Sequence, residues 1–336
     1  MGKNVFYNCT ALESVVFGNN NCLEAIGASV FYNCASLKKI VIPSSVASIG
    51  NYAFRSCSSL EEVVIAEDSQ ISAIGDYVFA DCYNLTKIQL PDDVISIGKY
   101  AFSGCSALTE MVIPDKVETI GANAFNNCVL LAKIYISNSV TALGNQVLRG
   151  CKALEVVTFG EQSALISVGD YAFADCQKLT ALVMPDTVET LGANLFRGCI
   201  SLVNVEISAS ATSMEDNFFY GCASLEVVNI PASVGSISDS AFNGCVKLAN
   251  IIVDANNANY KSIGGNLYTK DGKTLIQYAI GKTATHFEIP SGVTSIGYAA
   301  FSNCNSLTSV TIPNSVTSIG ASAFYMCYAL ESAVVP

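Results

Sequence analysis

Fourteen cysteines and one histidine carry the most open chemistry in this 336-residue chain. Thirteen of the cysteines (Cys9, Cys34, Cys57, Cys82, Cys105, Cys128, Cys151, Cys176, Cys199, Cys222, Cys245, Cys304 and Cys327) recur every 23 or 25 residues, with one gap of 59. Such a series could form disulfides or hold zinc. Zinc calls for close-spaced ligands, yet the chain has no Cys-x-x-Cys pair and His286 is far from most of the series. Neither a metal nor another cofactor is therefore expected. Cysteines in one equivalent slot of a repeat behave as core residues. Stacked about 4.8 Å apart with parallel Cβ vectors, they stay beyond the Cβ separation of roughly 3.8 Å that a bridge prefers. The expectation is a ladder of free buried thiols, with Cys22, which is out of register, as the accessible one.

His286 and Glu288 would share one face of a strand and could act as acid and base, but no nucleophile motif accompanies them and a surface pair explains them more simply. Asp254, Asn256, Asn257 and Asn259 offer oxygen ligands, but the segment lacks the glycine and glutamate of an EF-hand loop. Asn-rich turns bonding their own backbone are the simpler reading. No catalytic residue is assigned, and an enzyme is disfavoured.

The cysteine period exposes the element that positions all of these residues. Each unit reads Phe-x-x-Cys-x-x-Leu-x-x-Ile-x-Ile-Pro-x-x-Val-x-x-Ile-Gly-x-x-Ala-Phe, as in Phe79, Cys82, Leu85, Ile88, Leu90, Pro91, Val94, Ile97, Gly98, Ala101 and Phe102. A 20- to 29-residue period built on Leu-x-x-Leu-x-Leu is the leucine-rich-repeat signature. One unit cannot bury Leu85, Ile88 and Leu90 by itself, so units must stack. The Leu-x-x-Ile-x-Ile segment then forms a strand of a parallel sheet, and the Val-x-x-Ile-Gly-x-x-Ala-Phe segment returns as a turn and a short helix or 3₁₀ piece. The fold class expected is an α/β-type repeat solenoid of about fourteen rungs over residues 1–336, a single domain.

Three units are two residues longer, at Gly18-Asn19-Asn20-Asn21, Ala66-Glu67-Asp68-Ser69 and Gly160-Glu161-Gln162-Ser163, where a bulge should leave the stack intact. An island interrupts the array at about 254–283. Within it, Asp271-Gly272 between Leu267, Tyr268, Leu275, Ile276 and Tyr278 predicts a β-hairpin protruding from the solenoid.

On the solvent face of the sheet, the third position counted from each leucine runs Lys39, Glu62, Lys87, Glu110, Lys133. Alternating charge pairs neighbouring strands and fixes register. The fifth position runs Val16, Val41, Val64, Gln89, Val112, Tyr135, Thr158, Val183, Glu206, Asn229, Ile252, Glu288, Thr311, Val334. An exposed apolar stripe beside charge is a candidate protein-binding surface, with Val112, Tyr135 and Val183 as its ligand-binding residues. Strand faces favour β-branched residues whatever they bind, which is the competing account. Tyr260, Tyr268 and Tyr278 of the island form a second candidate site.

A net charge of -11 and pI near 4.5 oppose nucleic acid or anionic lipid as partners, while 51% hydrophobic content supports a large core. No run of 18 apolar residues predicts membrane insertion. Met1 to Phe6 lack the apolar centre of a secretory signal, Phe6 and Cys9 already fit the repeat, and Val335-Pro336 interrupts another one. The expectation is an excerpt of a longer protein.

The repeat resembles the BspA-like, or Treponema-type, leucine-rich-repeat proteins found on surfaces of many anaerobic bacteria and some protists. Ile-Pro-x-x-Val-x-x-Ile-Gly-x-x-Ala-Phe-x-x-Cys stands nearly intact at 42–57, 113–128 and 312–327. Leu148 replaces the phenylalanine, and Glu215 and Ser238 the glycine, so that glycine does not require a positive φ everywhere. The resemblance implies a secreted or cell-surface protein that binds a protein or glycan ligand of host matrix or other cells. A structural spacer or surface-layer element is the alternative, and exposed array ends would permit end-to-end self-association.

Overall fold

A computed structural model describes residues 1–18 and 22–335, so Asn19, Asn20 and Asn21 of the first long repeat lie outside the described residues. The chain forms a parallel β-solenoid of about thirteen turns, in two compact units, Met1–Leu179 and Thr180–Pro336.

In the first unit the front strands stack in strict register. Lys39–Ile42, Glu62–Ile65 and Lys87–Ile88 form one sheet, and Glu110–Val112, Lys133–Ile136 and Val156–Phe159 another. Alternation with period two sends Ile40, Val63, Ile88, Met111 and Ile134 into the core and leaves the charged third positions outside. Behind them run two-residue strands: Ala25–Ile26 pairs with Ser48–Ile49, and Ala73–Ile74, Ser96–Ile97, Thr119–Ile120, Ala142–Leu143 and Ser167–Val168 pair in sequence.

The return segment expected as a short helix or 3₁₀ piece is neither. In Gly50–Cys57, alternate amides leave the rung: Tyr52, Phe54 and Ser56 donate to the carbonyls of Asp76, Val78 and Ala80 at 3.0, 2.9 and 2.8 Å. The others close turns within the rung, from Ala53 to Gly50, Arg55 to Tyr52 and Cys57 to Phe54. A helix would spend all these donors on its own carbonyls, whereas here half of them bind the next rung. Left-handed residues at Tyr52 (φ 62°) and Ser56 (φ 61°) bend the chain between the turns.

Two ladders fill the core behind these turns. Phe31, Phe54, Phe79, Phe102 and Phe125 stack with centroids 5.2 to 5.4 Å apart. Beside them most ladder cysteines donate Sγ to the carbonyl of the preceding rung's ladder residue, as Cys57 to Phe31 at 3.1 Å and Cys105 to Phe79 at 3.2 Å, whereas Cys304 Sγ meets Ser306 Oγ. The cysteines are free in this structure, and those from Cys34 to Cys304 are buried. Gly98 has an ordinary φ and owes its place to close approach, because a Cβ there would sit 2.6 Å from the Gly75 carbonyl carbon. Both described long repeats close on buried serines: Ser69 and Ser163 take the amides of Ile71 and Leu165.

The second unit repeats this plan. Its front strands are Ala181–Val183 with Asn204–Glu206, Val227–Ile230 with Asn250–Val253, and His286–Glu288 with Ser309–Thr311 and Ser332–Val334. The island does not protrude. Tyr260–Ile263, Asn266–Thr269 and Thr274–Gln277 form an antiparallel meander that lies flush in the back sheet, followed by the parallel strands Ser295–Ile296 and Ser318–Ile319. The turn falls at Asp271-Gly272, where Gly272 has φ 77° and the Asp271 carboxylate accepts from the Lys273 amide and the Thr269 hydroxyl. Among the described residues no helix is long and apolar enough to cross a membrane.

Candidate ligand-binding face

The expected face exists in both units. In the first, Val41 and Val112 are 48% and 65% exposed, Val64 and Tyr135 are half-buried, and Gln89 and Thr158 are exposed. Register places Tyr135 between Val112 and Thr158 on adjacent strands. The charged column beside this stripe pairs partly with itself: Lys39 Nζ lies 2.8 Å from Glu62, both side chains half-exposed. A concavity of about 850 Å³ opens on this face between the rungs Glu61–Glu67 and Thr86–Asp92. Glu61, Glu62, Glu67 and Asp92 line it against the single cation Lys87, so its field favours a positively charged group. It forms where the front sheet's hydrogen bonding stops, after Lys87–Ile88, and where the long repeat raises the loop at Ala66–Ser69.

In the second unit Val183 is 59% and Ile252 50% exposed, but Glu206 and Asn229 stand between them, so the stripe becomes polar. Here a smaller concavity of about 300 Å³ is lined by Glu206, Asn229, Ile252 and Asp254.

The island tyrosines are not brought together as a site. Tyr268 and Tyr278 are fully buried, which corrects the expectation that they bind a ligand. Tyr278 occupies the phenylalanine slot of the core ladder: its amide donates to the Ala300 carbonyl as ladder phenylalanines do, and its ring stacks on Phe301 at 5.0 Å. Among the described residues the Tyr278 hydroxyl has no hydrogen-bond partner, and burial pushes both phenol pKa values up to about 12, against a lowering contribution from Asn266 at Tyr268. Tyr260 is half-buried, and its hydroxyl accepts from the Ile237 amide at 3.1 Å.

His286 and Glu288 do share the exposed face, and stacking adds a residue the sequence did not offer: Ser309 Oγ lies 2.8 Å from His286 Nδ1. The three side chains are arrayed on open sheet, not inside an enclosed cleft where charge development could be stabilised. The Asn-rich segment is spent on backbone. Asn257 is buried, donates to the Pro231 and Val234 carbonyls at 2.9 Å each, and accepts from the Asn259 and Tyr260 amides.

A further cluster on the turn edge was missed. Tyr52, Tyr77 and Tyr100 stack at 4.8 and 4.6 Å, with the Arg55 guanidinium 5.1 Å from the Tyr77 centroid and 3.4 Å from Asp81. The signal was a tyrosine two residues after the glycine of three successive Ile-Gly pairs, Gly50, Gly75 and Gly98. Since the rings face one another, the cluster stabilises the turn edge and exposes only ring rims.

A family model described as the BspA type leucine rich repeat region (6 copies) matches residues 1–73, 72–167, 166–271 and 276–336. A solved leucine-rich repeat protein from Bacteroides ovatus ATCC 8483 is 26% identical with a TM-score of 0.56, covering 92% of this chain and 81% of that one. Another, from Eubacterium ventriosum ATCC 27560, is 29% identical with a TM-score of 0.53, covering 58% of this chain and 51% of that one. The chain thus spans about half the length of the Eubacterium protein. A leucine rich cell surface protein from Faecalibacterium prausnitzii A2-165 is 24% identical with a TM-score of 0.42, covering 92% of this chain and 86% of that one. No curated protein matches the chain.

Proposed function

The chain belongs to the BspA-type leucine-rich-repeat family, and from that membership we propose that it is a non-catalytic cell-surface or secreted binding protein whose front sheet faces engage a protein or glycan of host matrix or of other cells. The observation that carries this reading is the first unit's stripe: exposed Val112 and half-buried Tyr135 stand side by side near an acidic concavity. Apolar side chains left on a sheet next to unbalanced charge favour a partner with its own apolar anchor and cationic rim. The family resemblance supports the cell-surface placement and adhesion in this reading.

A structural spacer is the second reading, favoured by the Lys39–Glu62 pair, in which face charges satisfy each other without a ligand. The test is binding of the purified chain to an array of extracellular-matrix proteins and glycans at physiological salt, beside Tyr135→Ala and Val112→Glu variants. Saturable binding to one class, weakened in both variants at unchanged stability, supports adhesion through this face. Binding that both variants retain removes the face from the reading, and silence across the array favours the spacer.

A further inference from the structure

The island interrupts the front sheet, and the two strand edges it separates are treated differently. The edge of Asn250–Val253 is capped from within. The Ile251 amide donates to the Gly265 carbonyl at 2.9 Å, the Val253 amide to Ser262 Oγ at 2.8 Å, and that hydroxyl donates back to the Ile251 carbonyl at 2.7 Å. The edge of His286–Glu288 has no such cap. This strand pairs with Ser309–Thr311 alone, and among the described residues no strand lies on its other side.

Period two settles which groups are left open. The Thr285 carbonyl and the Ile289 amide bond the Ser309–Thr311 side, through Ser309 N and Thr311 O, so the peptide groups of His286 and Glu288 point away from it. Thr283, Ala284, Thr285 and His286 are all exposed. Phe287 is half-buried, whereas its counterparts Leu182, Val205, Val228, Ile251 and Val310 are buried. Glu288 is exposed and makes no ion pair among the described residues.

An edge with two amides and two carbonyls in strand spacing is complementary to an extended backbone. A neighbour's side chain opposite Phe287 would face inward and complete the cover that other rungs supply, and the one opposite Glu288 would face outward against an unpaired carboxylate. The chain's net charge of -11 favours a cation there. We propose that the open edge of His286–Glu288 receives an extended peptide strand of a partner protein, with an apolar residue opposite Phe287 and a basic residue opposite Glu288. This site is separate from the first unit's stripe and stands or falls independently of it.

The test uses the whole chain and a seven-residue blocked peptide alternating valine and lysine, followed by fluorescence anisotropy and amide hydrogen exchange. Saturable binding is expected, with slower exchange at the His286 and Glu288 amides. N-methylating the edge-facing amides of the peptide should weaken binding about tenfold or more, as loss of two backbone hydrogen bonds requires. His286→Pro should do the same while shifting the melting curve only slightly, because that N–H serves no ladder bond within the chain and the side chain gives up only an exposed bond to Ser309 Oγ. Glu288→Lys should transfer preference to a valine–glutamate peptide. No saturable binding at millimolar peptide, or binding indifferent to N-methylation and to His286→Pro, would overturn the proposal. Dimerisation of the chain without peptide, abolished by His286→Pro, would replace the partner strand with a second copy.

Discussion

Tyr278→Phe should stabilise the second unit. The hydroxyl is enclosed in the core with no hydrogen-bond partner among the described residues. Desolvating such a group without compensation costs about 1–3 kcal/mol. Deleting it leaves a void of roughly 10 Å³, which at about 24 cal/mol per Å³ takes back only some 0.2 kcal/mol. The phenylalanine created would sit in a slot whose neighbour, Phe301, already stacks on Tyr278 at 5.0 Å and on Phe324 at 4.7 Å. The net expectation is a gain of about 1–2 kcal/mol. Repeat arrays lose cooperativity, so a global midpoint can miss a local gain. The decisive assay is native-state hydrogen exchange of the Tyr278 amide, which bonds the Ala300 carbonyl, supported by urea unfolding. Tyr260→Phe is the opposite control, because its hydroxyl takes the Ile237 amide and its loss should destabilise by about 1 kcal/mol. If Tyr278→Phe instead lowered protection by a kilocalorie or more, the hydroxyl would have a partner and the reasoning would fail.

Thiol titration in native buffer should register the exposed Cys9 and Cys22 quickly and the buried ladder only after denaturation; rapid reaction of Cys105 or Cys128 would contradict the burial. Stability should also fall on the alkaline side. Burial pushes Cys128 and Cys245 from 9.0 up to about 12, so their contribution is complete below pH 9, where both states hold the proton, and is lost between pH 9 and 12 as the unfolded thiols ionise first. Urea midpoints measured across that window should decline less steeply in Cys128→Ala than in the parent. Gly98→Ala should destabilise by about 1–3 kcal/mol, because the new methyl meets the Gly75–Asp76 backbone, which cannot swing aside as the Asp76 carboxylate also in its way can. A neutral result in thermal unfolding would mean that the rungs can separate locally.

Much of the solenoid was legible because stacking makes one constraint repeat. Leu, Ile and Cys at fixed offsets must meet their own equivalents, so the period specified the front strands, their register and the cysteine ladder, and it located the long repeats without showing that Ser69 and Ser163 would close them. The return segment was misread because Ile-Gly-x-x-Ala-Phe has apolar spacing compatible with a helical turn. What excludes a helix is the left-handed bend at Tyr52 and Ser56, neither of which is a glycine, and the demand of the next rung for alternate amides. The island tyrosines were misplaced for a related reason. A tyrosine among turn residues looks like a surface anchor, and nothing local says that Tyr278 continues the phenylalanine ladder. That became visible only when its amide was found bonding Ala300, as Phe102 bonds Ala124.

The binding face was the least legible part, and the physics of the repeat explains why. Positions that point to solvent, such as Val112 and Glu206, are the ones stacking does not constrain, so periodicity carries no information about them. Information returns where the repeat breaks. An island that inserts strands in the back sheet without adding any to the front forces the front strands apart, and each edge so created must be capped or left open. Ser262 and Gly265 cap the first, and no residue of the island caps the second. A chain that evolved only to span distance would gain from closing both, since an open edge invites unwanted pairing. The asymmetry between a capped Asn250–Val253 and an open His286–Glu288 is therefore the feature of this molecule that a spacer explains least well.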